Sequence, residues 1–538
     1  TLARDPRFHD NAARNAQREA LHALIIEAFA ALSAENTRLS SLVAKLEAEL
    51  ALARMHRYAP RSEKSKDRLL NEAEQAAAEA AAGIGGEDGD GEDVVPDTGL
   101  PEGGPDAGAK RGRKPLPASL PRERVEYTLP EDAQICPCCS NRLHRIGEVV
   151  SEQLQVEVRV KVLENARAKY ACRHCDRTGI ETPIVTAPMP AQPLPGSVAT
   201  ASTLAFALVH KFVDGTPLYR LAEVFGRAGV SISRGTLAHW VIGSSETHLQ
   251  RIYDALRARL LTQNLIHGDE TTVQVLKEDG REASDKSYMW AYRSGEHSAE
   301  PIVLLDYQPG RGQVHPQTFL GAYCGQLMSD GYSAWRSLQG ATHLGCMAHA
   351  RRRFVEAQKT RGRNGGLPDQ ALQFFQRLYK VEAQAQQAPL RPGESRADCI
   401  HRFRQQHSLP VLIAFKDWLT SHQPKVLPDS YLGDAISYSL NQWDYLTRYL
   451  QDGTRPIDNN ILERDIRVFA TGRKSWLFSD TVAGAKASAI IYSLMLTCRA
   501  CGIEPYAWLR HVLTEMPARG KDADIADLLP FNFKPPNA

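Results

Sequence analysis

Several domains around an α/β core, with that core split by an all-helical insertion, is the architecture this sequence predicts. Three observations predict it. At 538 residues the chain exceeds what one hydrophobic core serves, so three or more domains are expected. The apolar pattern changes period twice, turning strand-like after Asn264 and helical again through 356–454, and period is the primary sign of element type. Three acidic residues, Asp269, Asp330 and Glu463, stand in such elements on either side of the helical stretch, where a divided core would reunite them.

Composition bounds the rest. With 43% hydrophobic and 24% charged residues the balance is that of a globular protein with room for some disorder. The net charge of +2 is less informative than its distribution. Acidic residues crowd positions 87–106 and Lys110-Arg111-Gly112-Arg113-Lys114 follows at once, so a neutral total can hide a basic face. No run of 18 apolar residues appears, which predicts no membrane span, and the first residues lack a signal-peptide layout. Ten cysteines, four of them in two CxxC pairs, suit a reducing compartment and a metal rather than a disulfide framework.

Taken in order, residues 1–72 read as a helix with heptads. Phe29, Asn36, Val43 and Leu50 fall at a positions and Ile25, Leu32, Leu39, Leu46 and Ala53 at d. Leucine-rich d positions with one Asn at a predict a two-stranded parallel coiled coil, since Asn36 pairs with its own copy and penalises other registers; the competing reading is a helix packed on its own domain. Residues 73–119 are Ala/Glu-rich, then Gly/Asp/Glu/Pro-rich, and predict a flexible acidic linker. It ends in Arg111-Gly112-Arg113-Lys114-Pro115, either an arm for a narrow A·T minor groove or a solvated basic segment.

From 120 to 190, Cys136-Pro137-Cys138-Cys139 and Cys172-Arg173-His174-Cys175 flank a β-like stretch. Cys136, Cys139, Cys172 and Cys175 predict a closed tetrahedral site for one structural Zn²⁺, with Cys138 and His174 as alternative ligands. Residues 191–260 are helical, and Thr216-Pro217 opens one helix as a cap and first-turn proline. A Gly226–Gly229 turn leads into Ser231–Trp240, a helix–turn–helix layout with Ser233, Arg234 and Thr236 toward base edges, or else a bundle connecting domains.

Strands then dominate: 264–277, Ser287–Arg293 and Pro301–Tyr307, a helix near Pro316–Tyr323, a strand into Asp330, and another at Thr342–Cys346. This order is that of a ribonuclease H-like fold, whose first strand carries one carboxylate and whose fourth is followed closely by another, the places of Asp269 and Asp330. The core divides into 261–355 and 455–500, with an all-helical insertion over 356–454 and a C-terminal tail over 501–538. Glu463 lies near the start of a helix with Leu462, Ile466 and Phe469 on its apolar face and Arg467 at i+4, where the two can pair or together address metal and phosphate. Gathered carboxylates can hold two Mg²⁺ (or Mn²⁺) ions about 3.5–4 Å apart, which stabilise both oxygens of a phosphodiester displacement. Glu270, Asp306 and Asp465 are the acidic neighbours most easily confused with them. Cys346 and His349 form a CxxH, but two ligands fall short of a metal site, so the pair reads as packing or DNA contact. Arg351, Arg352 and Arg353 then offer a basic face to phosphate. Cys498 and Cys501 lie in an apolar helix and read as core.

Beyond these readings, the chain resembles transposases of the insertion sequence 66 family of bacterial mobile elements over nearly its whole length. The resemblance is carried by the zipper helix ending in Pro60-Arg61-Ser62-Glu63-Lys64, by Arg113-Lys114-Pro115-Leu116-Pro117 with Leu120-Pro121-Arg122-Glu123-Arg124, and by Gly147–Leu154 in the zinc segment. Further on it is carried by Asp269-Glu270-Thr271, Asp330-Gly331-Tyr332, Cys346–Phe354, Asn459-Asn460 with Glu463-Arg464, and Gly472–Phe478. Tyr58-Ala59-Pro60 departs from the Phe-Gly pair more common there, at the zipper's end and away from the acidic residues.

The resemblance implies that Asp269, Asp330 and Glu463 are a DDE triad, that an insertion precedes the glutamate, and that the substrates are double-stranded element ends and target DNA. It implies Mg²⁺-dependent end cleavage and then joining of the 3′-hydroxyl by transesterification, with Arg464, Arg467, Arg473 and Lys474 on phosphates. It further implies a homodimer or higher assembly, companion element-encoded proteins, and a cytoplasmic, nucleoid-associated location. A regulator that binds DNA without chemistry, or a ribonuclease H-like nuclease that never joins ends, are the competing functions.

Overall fold

The computed structural model describes residues 6–58, 124, 138, 160–170, 184–361 and 366–535. The predicted zinc ligands Cys136, Cys139, Cys172 and Cys175, the alternative His174, the basic Arg111, Arg113 and Lys114, and the predicted linker lie outside these residues. The chain forms two compact units, 1–86 with 185–538, and 87–184. In the second, Cys138 sits exposed in a turn.

In the first unit, α1 (Pro6–Tyr58) is one continuous helix. Its predicted apolar a and d residues from Ile25 to Leu50 stand in solvent, Phe29 at 75% and Leu32 at 69% exposure. Four helices follow: α2 (Ala201–Phe212), α3 (Leu218–Arg227), α4 (Arg234–Ser244) and α5 (Gln250–Leu260). Thr200 and Ser233 cap α2 and α4 by accepting the backbone N–H of Thr203 and Thr236, the role for which a hydroxyl side chain is suited at that position.

The sheet is built from β1 (Leu265–Lys277), β2 (Lys286–Ser294), β3 (Val303–Gln308), β4 (Gln326–Ser329) and β5 (Thr342–Gly345), with α6 (Val314–Leu320) and α7 (Ser333–Arg336) in the connections. Its order is β3-β2-β1-β4-β5. The first three strands are antiparallel, while β4 runs parallel to β1 and β5 parallel to β4. A short strand, β6 (Ser479–Thr481), pairs parallel with the far end of β1.

The outer strand β3 is covered by a helix from late in the chain, α15 (Val482–Ala500). Ser493 and Thr497 of that helix accept the backbone N–H groups of Leu305 and Val303, so the edge does not present a bare ladder to other chains. Residues 501–538, expected as a tail, instead continue the core. Helix α16 (Pro505–Glu515) buries Trp508, Leu509, Val512 and Leu513, and Leu528 and Leu529 follow them in. They share one apolar cluster with the sheet and with Leu204, Leu208, Leu221, Leu237 and Trp240 of α2–α4. The helices of 191–260 are therefore fused to the α/β core and do not form a module with an interior of its own; their apolar faces need the sheet and α16 for cover.

Between β5 and the glutamate-bearing helix come α8 (Met347–Arg361), α9 (Leu367–Gln387), α10 (Arg396–Phe403), α11 (Leu409–His422), α12 (Tyr431–Asn441) and α13 (Trp443–Thr447). They enclose a second core of Phe354, Phe375, Leu378, Phe415, Leu419 and Ile436. The chain then returns to the sheet as α14 (Asn460–Trp476).

Candidate active site

Register brings the two aspartates together. On adjacent parallel strands His267 pairs with Met328, and two residues further along each strand direction come Asp269 and Asp330. Side chains two residues apart lie on the same face of a strand. Gly268 makes room for the buried Trp335 beneath them, since a Cβ there would stand 2.6 Å from its indole ring. Asp269 accepts the backbone N–H of Glu270 at 2.8 Å, and Asp330 accepts that of Tyr332 at 2.9 Å, which fixes the turn after β4.

Burial pushes the Asp269 carboxyl well above the ordinary carboxylate range, and the neighbouring charges of Glu270, Glu463 and Asp330 push it further. Asp269 is thus within electrostatic reach of both Asp330 and Glu463. Glu270, on the next position of β1, has its own partners. Its carboxylate accepts Arg311 at 2.7 Å and the Trp335 indole N–H at 2.8 Å, and Arg311 stacks 3.9 Å over the Tyr332 ring. Glu270 therefore braces the Asp330 turn from behind.

Glu463 arrives by a different route. Asn459, fully buried just before α14, accepts the His267 Nδ1–H at 2.8 Å through Oδ1, donates Nδ2–H to the Gly268 carbonyl at 3.1 Å, and donates its backbone N–H to Cys346 Sγ at 3.2 Å. One side chain thereby ties the start of the glutamate helix to the strand of Asp269. Burial holds the His267 ring down at about 4, so it is neutral there. Asp458 takes the Tyr379 hydroxyl at 2.7 Å and so ties the same corner to α9. Further along, buried Asp465 pairs with Arg293 of β2, and Arg473 donates to Thr272 of β1.

The glutamate carboxylate itself is held from α8. Arg352 donates to Glu463 Oε2 at 2.7 Å, while Oε1 faces His349 Nδ1 at 3.6 Å. The ion pair predicted with Arg467 is thus replaced by one from another element, because α8 and α14 are brought side by side only by the fold. Burial lowers the basicity of His349, against the pull of Glu463. Among the described residues Cys346, His349 and Glu463 bring one ligand atom each to within 4.8 Å of one another. The third partner that the CxxH lacked in the sequence is Glu463.

The basic residues divide. Arg464, Arg467 and Lys474 stand exposed along α14, and Ser233, Arg234 and Thr236 are exposed at the start of α4. Arg473 is the exception, its guanidinium being directed into the strand, not toward a ligand. Arg351 is half-buried on α8 beside Arg352. After Lys474 the helix ends in Trp476-Leu477-Phe478, where Leu477 has φ 66° and Phe478 N–H reaches the Trp476 carbonyl at 2.9 Å. This is a γ-turn centred on a non-glycine residue, with Leu477 63% exposed.

Comparison with known proteins now identifies this arrangement. The model described as "Transposase IS66 family" matches residues 196–487, which is the sheet, the insertion and the glutamate helix together. The chain belongs to the IS66 transposase family. The IS66 C-terminal element matches 493–531, the zinc-finger binding domain of transposase IS66 matches 133–176, and "Transposase C of IS166 homeodomain" matches 45–125. Among curated proteins the chain is similar to the uncharacterized protein y4jD of Sinorhizobium fredii (strain NBRC 101917 / NGR234), at 32% identity over 437 residues, 78% of this chain and 81% of that one. It is also similar to y4hP of the same organism, 30% identical over 78% of this chain and 77% of that protein, and to y4qI, 30% identical over 82% of each. The IS66 chain therefore carries a transposase's domains, including a zinc finger that calls for structural zinc. No helix of the described residues is long and apolar enough to cross a membrane.

Proposed function

We propose that this IS66 protein is a DDE transposase in which Asp269, Asp330 and Glu463 are the catalytic triad of a ribonuclease H-like core. The strand order β3-β2-β1-β4-β5, with its antiparallel first three strands, supports the fold. The observation that carries the chemistry is the level register of Asp269 and Asp330 with the charge of Glu463 in reach. Half-buried carboxylates that repel one another fit hard divalent cations such as Mg²⁺ or Mn²⁺, which take oxygen ligands. When bound, two such ions supply an activated water or 3′-hydroxyl and stabilise the charge that builds on the phosphate.

The chain's own residues do the rest. Asp269 and Asp330 orient the reacting groups from one rigid sheet, and Glu463 closes the site from α14. Exposed Arg464, Arg467 and Lys474 on that helix hold DNA phosphates, with Arg351 and Arg352 across from them. Ser233, Arg234 and Thr236 meet bases or backbone of the element end, assisted by Arg111, Arg113 and Lys114. Cys136, Cys139, Cys172 and Cys175 hold the structural zinc. The apolar stripe of α1, solvent-exposed over its heptads, fits a second copy of this chain, with Asn36 fixing register, so that two double-stranded ends are paired before joining.

Asp330→Asn tests the triad. It should leave affinity for element-end DNA within about twofold while Mg²⁺-dependent end cleavage falls by at least ~10³-fold, a loss of ~4 kcal/mol in transition-state stabilisation. Cleavage at the wild-type rate would remove Asp330 from the site. Pre-cleaved ends supplied with a target duplex separate a transposase, which joins them, from a nuclease, which does not.

A further inference from the structure

We infer that Cys346, His349 and Glu463 form a separate cation site, for one borderline divalent ion of the zinc class, built onto the glutamate of the proposed triad. Only its consequence for catalysis rests on that triad; the site itself stands on geometry.

Each ligand comes from a fixed position. Cys346 links β5 to α8, His349 lies in the first turn of α8, and Glu463 in the first turn of α14. Their ligand atoms all lie within 4.8 Å of one another. His349 Nδ1 and Glu463 Oε1 are both shielded from solvent and have no hydrogen-bond partner. At 3.6 Å they are too far apart to satisfy each other. That spacing suits a shared ion instead: bonds of ~2.1 Å from nitrogen and oxygen at a tetrahedral angle put the two ligand atoms about 3.4 Å apart.

The sulfur lies beside them. Cys346 is fully buried, and burial pushes its thiol well above the ordinary range against the backbone N–H groups of Asn459 and His349 that reach the sulfur, so without an ion it is held as the thiol. Binding forms the metal–sulfur bond and releases the thiol proton to solvent. A sulfur, a nitrogen and a carboxylate oxygen select zinc-class ions over Mg²⁺ or Ca²⁺, which prefer oxygen throughout. Three protein ligands leave a fourth position for water. Arg352 on Glu463 Oε2 orients the carboxylate as an outer partner does in metal sites. A zinc ion bound here takes one oxygen of Glu463 away from the two aspartates, so occupancy opposes the Mg²⁺-dependent reaction.

The test counts metal on the full-length chain. Zinc per chain, by plasma mass spectrometry after gel filtration, should drop by one equivalent in both Cys346→Ser and His349→Ala relative to wild type, with the zinc finger left intact in all three. Cobalt added to zinc-finger-loaded protein should give a thiolate-to-cobalt band in the near ultraviolet that Cys346→Ser abolishes and Cys501→Ser keeps. His349→Cys, which supplies another ligand, should hold the equivalent and guards against loss through misfolding. Equal zinc content in all variants, with no cobalt band dependent on Cys346, overturns the site. These readouts need no DNA. A second ion on a chain that still fails to cleave after that ion is stripped and Mg²⁺ supplied sinks the triad and spares this site, whereas Mg²⁺-dependent cleavage by a chain that never holds the second ion does the reverse.

Discussion

The strand that carries Asp269 and the helix that carries Glu463 are held by different forces. Asp269 and Asp330 sit on and just past neighbouring parallel strands whose backbone ladder sets their spacing, and the buried Trp335 packs under Gly268 beside Asp269. Such positioning is spread over many main-chain bonds and survives the loss of any one side chain. Glu463 follows a helical insertion with its own core, and a few side chains fasten its helix to the sheet, namely Asn459, Asp465 with Arg293, and Arg473, while Asp458 fastens its start to α9. The aspartate half of the site is therefore set by register and the glutamate half by a small set of polar contacts. The second half is where the active geometry is easiest to undo, and where a cation or a regulator has the most leverage.

The sharpest way to break that contrast is Asn459→Ala. It leaves the Gly268 carbonyl and His267 Nδ1 unpaired in a buried corner, at a cost of roughly 3 kcal/mol. Chemical denaturation should report that loss. End cleavage by the protein that remains folded should fall more than tenfold, because Glu463 loses its anchor to β1. Unchanged cleavage would mean the helix is fixed by its apolar face alone.

Asp269→Asn probes the sheet half, and its sign is opposite. The buried carboxyl of Asp269 binds its proton above the ordinary value of 3.8. Below that value folded and unfolded chains are both protonated and the residue has no effect. As pH rises, the unfolded chain ionises first while the native chain keeps its proton, so stability is lost through the window up to the raised value and stays lost above it. Replacement by Asn abolishes this penalty. The metal-free variant should match wild type near pH 3 and melt at a higher temperature than wild type at pH 8. Millimolar Mg²⁺ should raise the melting temperature of wild type more than that of the variant. A variant less stable than wild type at pH 8 would contradict the burial argument.

Leu477→Gly is the mildest change. Its φ of 66° strains any residue with a Cβ, at about 1–3 kcal/mol, while added freedom of the unfolded chain takes back about 0.4–1 kcal/mol. A rise in melting temperature of about 1–2 °C is expected. A fall would mean that the exposed Leu477 side chain is covered by something the helix end packs against.

Much of this molecule was legible in its sequence because the signals were local. Strand segments near 264–277 and 287–293 correspond closely to Leu265–Lys277 and Lys286–Ser294, since β-rich runs bounded by polar turns carry their own period. The apolar helix containing Cys498 is likewise buried. Other features were not legible. Residues 501–538 looked like a tail because their few apolar residues are spaced for a partner, the α2 region, that lies hundreds of positions earlier. Arg473 looked like a phosphate ligand, since nothing nearby in sequence shows that Thr272 lies beside it. The CxxH looked two ligands short of a site because its third ligand is brought in by α14.

By itself the sequence determined the helical and strand segments, the heptads of α1, the cysteine pairs and the acidic residues that belong to a transposase, all written in spacings of a few residues. Only the tertiary structure decided which side chains share a pocket. It set Asp269 level with Asp330 through parallel register and gave Glu463 to Arg352 and His349 instead of Arg467. The reason is physical: hydrogen-bond ladders and burial act between segments that the chain separates, and no local pattern records where those segments meet.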